Sequence, residues 1–169
     1  YFQDRSRETK LIADFLRNAA QRFLTIIGRG GNGKTVLACR LLKTLEHGQL
    51  PDELGELLPG GIVYLSARGT RELRFPHLYA DLSKLAPVSE QERLEAIYKD
   101  PQASVRQQLA ALLECLPPAT ILLLDNLEDV QHPETGDIMD AELDEALQTL
   151  LTLPSHALKV ILTTRILPR

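Results

Sequence analysis

At 169 residues, with 44% hydrophobic and 25% charged side chains, the chain is long enough to close one proper core and reads as a single globular domain. A net charge of -4 argues against nucleic acid as the main partner. No apolar run approaches the length of a membrane span and no secretory signal opens the chain, so a reducing cytoplasm is the expected setting.

Tyr1-Phe2-Gln3 resembles the end of a protease-cleavage tag and is set aside. Ser6 to about Ala20 reads as a helix, with Leu11, Ile12, Phe15, Leu16 and Ala19 on one face. Phe23-Leu24-Thr25-Ile26-Ile27 reads as a buried strand, and a helix over about 34–46 carries Val36, Leu37, Leu41 and Leu45 at helical spacing. Gly48 to Gly61, rich in glycine and proline, is a loop before a second strand at about 62–66. Leu73, Leu78, Leu82 and Leu85 suggest a helix after Pro76. Ser89-Glu90-Gln91-Glu92 has the pattern of a capping box opening a short helix through Leu94 and Ile97. Asp100-Pro101 reads as the start of a helix carrying Val105, Leu109, Leu112, Leu113 and Leu116, which Pro117-Pro118 stop. Thr120-Ile121-Leu122-Leu123-Leu124 is a continuous apolar run ending in Asp125. Gln131 to Gly136 is a turn, Asp140 to about Leu153 a helix, and Leu158 to Thr163 the last strand, leading into Thr164-Arg165. Cys39 and Cys115 fall on helix faces among leucines and are expected as small core residues, not as a disulfide or metal pair.

Strands alternate with helices, and several strands are apolar on both faces. The expected fold is therefore α/β, a parallel sheet covered by helices on both sides in three layers. In such sheets ligands sit at the carboxyl ends of the strands. Four stations follow from that rule: Gly28–Thr35, Ser66–Arg68, Asp125–Asp129 and Thr163–Arg165.

Gly28-Arg29-Gly30-Gly31-Asn32-Gly33-Lys34-Thr35 matches the phosphate-loop pattern G-x-x-x-x-G-K-[ST] between a strand and a helix. Backbone N–H groups of such a loop wrap phosphate oxygens, glycine permits the close approach, and the following helix points its positive end at the anion. Gly28, Gly30, Gly31, Asn32, Gly33, Lys34, Thr35 and the next residue, Val36, form the candidate nucleotide-binding set. Lys34 would meet the β- and γ-phosphates, and the Thr35 hydroxyl would bind Mg²⁺. Gly28, Gly30 and Gly33 also spell a dinucleotide fingerprint, but the second strand runs into Ser66-Ala67-Arg68 without the carboxylate a ribose needs.

Asp125 stands where a second Mg²⁺-directed group belongs, the plainer alternative being a helix N-cap. Glu128 or Asp129 could orient or deprotonate a water; the alternative is a solvated acidic face. Arg165 could stabilise charge at the γ-phosphate, or be a surface arginine after an edge strand. His47, His77, His132 and His156 have no ligand spacing. The residues thus point to Mg²⁺-dependent binding and hydrolysis of ATP. A phosphotransferase sharing the loop and a nucleotide-binding module without turnover stay open. A GTPase is disfavoured, because no Asn-Lys-x-Asp motif occurs.

Together, Gly28–Thr35, the run Leu122-Leu123-Leu124-Asp125-Asn126-Leu127-Glu128-Asp129 and the ending Lys159-Val160-Ile161-Leu162-Thr163-Thr164-Arg165 closely resemble the nucleotide-binding core of the signal-transducing STAND ATPases. The NB-ARC and NACHT proteins of animal apoptosis, plant disease resistance and bacterial defence belong to that class. The resemblance implies an ASCE-type phosphate-loop NTPase sheet, with Lys34 and Thr35 on phosphate and metal, Asp125 on the metal and Arg165 as the sensor of the γ-phosphate. Asp125-Asn126-Leu127-Glu128-Asp129 is similar to the acidic motif of NACHT members, which favours Glu128 as the catalytic acid. Asp4-Arg5-Ser6-Arg7-Glu8 looks like the segment lining the adenine pocket, with Arg7 the matching arginine. Two positions depart from the pattern: Asn126, where NB-ARC members often carry a second acid, and Asn32, where an aliphatic residue is usual. Such cores usually continue into a fifth strand, a small helical domain and a winged helix. By that resemblance the chain is expected to be part of a larger switch that rests with ADP, exchanges it for ATP, self-associates through its further domains and is reset by hydrolysis.

Overall fold

The computed structural model describes residues 6–70, 72–154 and 156–166. Four strands, β1 (Phe23–Ile27), β2 (Gly61–Ser66), β3 (Thr120–Asp125) and β4 (Lys159–Thr164), form one all-parallel sheet in the order β1-β4-β3-β2. Six α-helices flank it among the described residues: α1 (Ser6–Arg17), α2 (Lys34–Leu45), α3 (Phe75–Ser83), α4 (Gln91–Lys99), α5 (Val105–Cys115) and α6 (Ala141–Thr152). None of these helices is long and apolar enough to cross a membrane.

Burial follows from strand position. Every residue of β3 and β4 is buried, because a central strand covered on both faces has no side left for water. β1 and β2, at the two edges, are only partly covered. Side chains alternate between faces along each strand. Leu122, Leu124, Val160 and Leu162 pack with the residues of α3–α6, while Ile121, Leu123 and Ile161 pack with those of α1 and α2. The chain crosses the whole sheet once, from β1 to β2 through α2, then returns through β3 to β4. Parallel crossovers keep one hand, so reversing direction moves the covering helices to the other face. This return inserts β4 between β1 and β3, with Ile27 beside Thr164 and Leu124 beside Leu162. The carboxyl end of β4 is thus wedged between the phosphate-loop candidate and Asp125.

Some sequence expectations are corrected. Helix α1 ends at Arg17, so Ala19 lies beyond it, and Leu11 is 57% exposed while Ala13 takes a core position. The end of α1 is closed by Lys159, a buried lysine of β4 whose ammonium donates to the carbonyls of Phe15 (3.3 Å), Asn18 and Gln21. Burial pushes its pKa down. The capping box forms at Ser104–Gln107 and opens α5, whereas Asp100 accepts from Gln102 N in the turn before it. The reciprocal pair wins because it satisfies the N3 N–H and the cap N–H together. At Ser89 no box forms: Glu90 pairs with Arg93, and Gln91 donates to Ser83 O and Ala86 O. Cys39 is exposed and Cys115 half-buried, both as free thiols. Val36 is also exposed, since α2 turns that side outward from its first turn.

Candidate functional site

The loop between β1 and α2 is rooted on β4, for Gly28 N donates to Thr164 O at 3.2 Å. Gly31 (φ 81°) and Gly33 (φ 67°) are left-handed, where a Cβ would be strained. Gly33 is the N-cap of α2 and carries no side chain to cap it, so no side-chain hydrogen bond closes that helix end. Lys34, 8% exposed, folds back over the loop and donates to Gly28 O at 2.6 Å and Arg29 O at 3.3 Å. At Gly30 the guanidinium of Arg165 lies close over the backbone: a Cβ there would stand 2.9 Å from Arg165 Cζ.

Asp125, at the end of β3, is 0% exposed. Its Oδ2 accepts from Thr35 Oγ1 (2.9 Å), Asn126 Nδ2 (2.9 Å) and the Tyr64 hydroxyl (3.2 Å), and its Oδ1 accepts from Thr163 Oγ1. No cation pairs with it among the described residues. Burial first, and then the charge of Asp125, push the Tyr64 hydroxyl up to about 12, so it stays a proton donor. Asn126 is left-handed (φ 59°), a conformation asparagine tolerates, and this turns its amide back onto Asp125 and Ser66 Oγ. Its N–H donates to Thr163 Oγ1 at 3.0 Å. Thr35 and Asp125 offer adjacent hard oxygens and an uncompensated charge, which suits a divalent cation such as Mg²⁺. Beyond them, no group of three or more His, Cys, Asp or Glu residues is placed to hold a metal among the described residues.

Glu128 lies in the 3₁₀ turn Leu127–Val130 with its side chain only 6% exposed. Arg165 Nε approaches Oε1 to 2.8 Å and Arg68 Nη2 to 3.9 Å. Neither arginine aims an N–H along a lone pair, and both Glu128 oxygens are buried without a hydrogen bond among the described residues. Asp129 is exposed by contrast and is held by both Nε and Nη2 of Arg68. That pairing pushes the Arg68 pKa up, the hydrogen bond it donates to Asp129 being the largest cause.

Thr164 faces away from this cluster's centre. Its hydroxyl donates to Gln131 Oε1 at 2.6 Å, and Gln131 Nε2 donates to Gly136 O, so β4 also anchors the turn after Glu128. Arg7 is exposed in the first turn of α1; Asp4 and Arg5 of the same candidate segment lie outside the described residues. Asn32 stays with the loop, its N–H donating to Arg29 O at 3.3 Å.

The fold therefore gathers Gly28–Thr35, Asp125, Glu128 and Arg165 at one end of the sheet. Sequence reasoning missed Tyr64, whose alternating strand position hid a hydroxyl aimed at Asp125, and gave no role to Gln131. Arg68 was visible only as part of a station after β2. No protein-family model matches the chain, and a search of curated proteins finds no match either.

Proposed function

We propose that the chain is the nucleotide-binding core of a STAND-type switch, of the ASCE-type phosphate-loop NTPase fold, which binds Mg²⁺-ATP and ADP and hydrolyses ATP slowly. One observation carries the reading: Thr35 Oγ1 and Asp125 Oδ2 lie 2.9 Å apart although 90 positions separate them in the chain. A glycine-rich turn that merely opened a helix would have no need of a buried, cation-free carboxylate opposite its last hydroxyl. The placement of β4 between β1 and β3, which sets Arg165 against Gly30, supports the same reading.

In the proposed reaction the loop amides and the open N-terminus of α2 bind the phosphates. Lys34 exchanges its two backbone carbonyls, Gly28 O and Arg29 O, for β- and γ-oxygens. Thr35 and Asp125 would hold Mg²⁺, which when bound neutralises developing phosphate charge. Glu128 orients or deprotonates the attacking water, because Asp129 is committed to Arg68. Arg165 meets the γ-phosphate charge. Self-association through further domains of a longer cytoplasmic protein is the switch's output.

Lys34→Ala tests the assignment. Calorimetry should show ATP binding lost in the variant, phosphate release should fall to background, and circular dichroism should be unchanged. Wild-type affinity in the variant would overturn the proposal.

A further inference from the structure

The Glu128 carboxyl group is buried and accepts no hydrogen bond among the described residues. Its nearest cation is Arg165, the residue assigned above to the γ-phosphate. The same guanidinium that approaches Glu128 Oε1 to 2.8 Å lies so close to Gly30 that Cζ, Nη1 and Nη2 would stand 2.9, 3.0 and 3.1 Å from a Cβ there. One cation thus lies between two anionic positions, a carboxylate it already holds and the phosphate site that the loop encloses. Among the described residues Arg68 is the other cation in reach, 3.9 Å from Glu128, but it donates twice to Asp129.

We infer that Glu128 sets the discrimination between nucleoside triphosphate and diphosphate by competing with the γ-phosphate for Arg165. The inference rests on the nucleotide-binding reading. A diphosphate leaves the Arg165–Glu128 pair closed. A triphosphate must open it, so the cost of opening falls on triphosphate affinity alone. The hold is loose, since Arg165 is 42% exposed and not aligned on the oxygen, and an aligned phosphate contact outcompetes it. Once Arg165 has turned, Glu128 keeps Arg68 as its remaining cation, and its two oxygens are free to accept from a water. Recognition of the γ-phosphate and release of the acid are then a single event.

A binding cycle without turnover tests this. Affinities for ADP and for a non-hydrolysable ATP analogue, both with Mg²⁺, are measured by calorimetry on wild type, Glu128→Gln, Arg165→Ala and the double variant. Glu128→Gln should bind the analogue about fivefold more tightly, the upper value for a partly exposed ion pair, with ADP affinity within about twofold. Glu128→Ala should shift the same way, which guards against a folding defect in one variant. In the Arg165→Ala background the gain should vanish. An equal gain in that background would overturn the inference, because it would mean simple repulsion between carboxylate and phosphate. No gain in either Glu128 variant would overturn it as well. If the wild type instead bound neither nucleotide, or bound them independently of Lys34, the nucleotide reading itself would fall and this inference with it.

Discussion

Asp125 and Glu128 are two buried carboxylates three positions apart, and the fold treats them in opposite ways. Asp125 receives four neutral donors from four places, Thr35, Tyr64, Asn126 and Thr163, and no cation among the described residues. Among the described residues Glu128 receives two cations and no hydrogen bond. Fixed dipoles lock a carboxylate in place while leaving its charge uncancelled, so Asp125 is rigid and electrostatically hungry. Arginines on long side chains cancel charge without fixing geometry, so Glu128 is compensated yet easily released. A rigid anion suits a metal ligand, and a releasable one suits a residue that acts only at one stage of a cycle.

The contrast can be broken most forcefully at Asp125. Asp125→Ala leaves three hydroxyls without their acceptor and takes one of two acceptors from the Asn126 amide, and unfolding free energy in urea should fall by about 3 kcal/mol. A loss under about 1 kcal/mol would show that the four donors are not bound into one network. Thr163→Val removes the donor to Oδ1 and the acceptor of Asn126 N–H together while keeping the side-chain shape. It should cost about 1–2 kcal/mol in the same measurement. At the small end, Glu128→Gln breaks no hydrogen bond among the described residues. Its effect on unfolding free energy should stay within about 0.5 kcal/mol, the arginines it loses being substantially exposed. If Glu128→Gln destabilised the fold more than Asp125→Ala, the division between a structural anion and a releasable one would be wrong.

Much of the fold could be read before any coordinates. Continuous apolar runs located all four strands and period-3.6 patterns the longer helices, because both answer directly to burial. The loop and Asp125 were legible for a related reason: glycine and a lone carboxylate after an apolar run are costly unless the backbone or a ligand requires them. What escaped was local competition between similar signals. Ser89–Glu92 and Ser104–Gln107 both spell a capping box, and only the second forms, since Glu90 and Gln91 are drawn into contacts with α5 and the end of α3. Cys39 and Val36 kept helical spacing yet face outward, for spacing does not say how wide the buried stripe is.

The candidate site divides in the same manner. Sequence alone set the chemistry expected at each station, because a phosphate-loop pattern, a strand-terminal aspartate and an arginine after a strand suggest roles through residue type and spacing. Tertiary structure alone decided who meets whom. Strand order puts β4 between β1 and β3, so Thr163 and Arg165 are delivered to Asp125, Glu128 and Gly30 from 37 or more positions away. Tyr64 joins them only because β2 lies beside β3 in a register pairing it with Leu123, within reach of Asp125. The physical reason is that side-chain pairing across a parallel sheet depends on crossover direction and register, which are set by the packing of the whole chain.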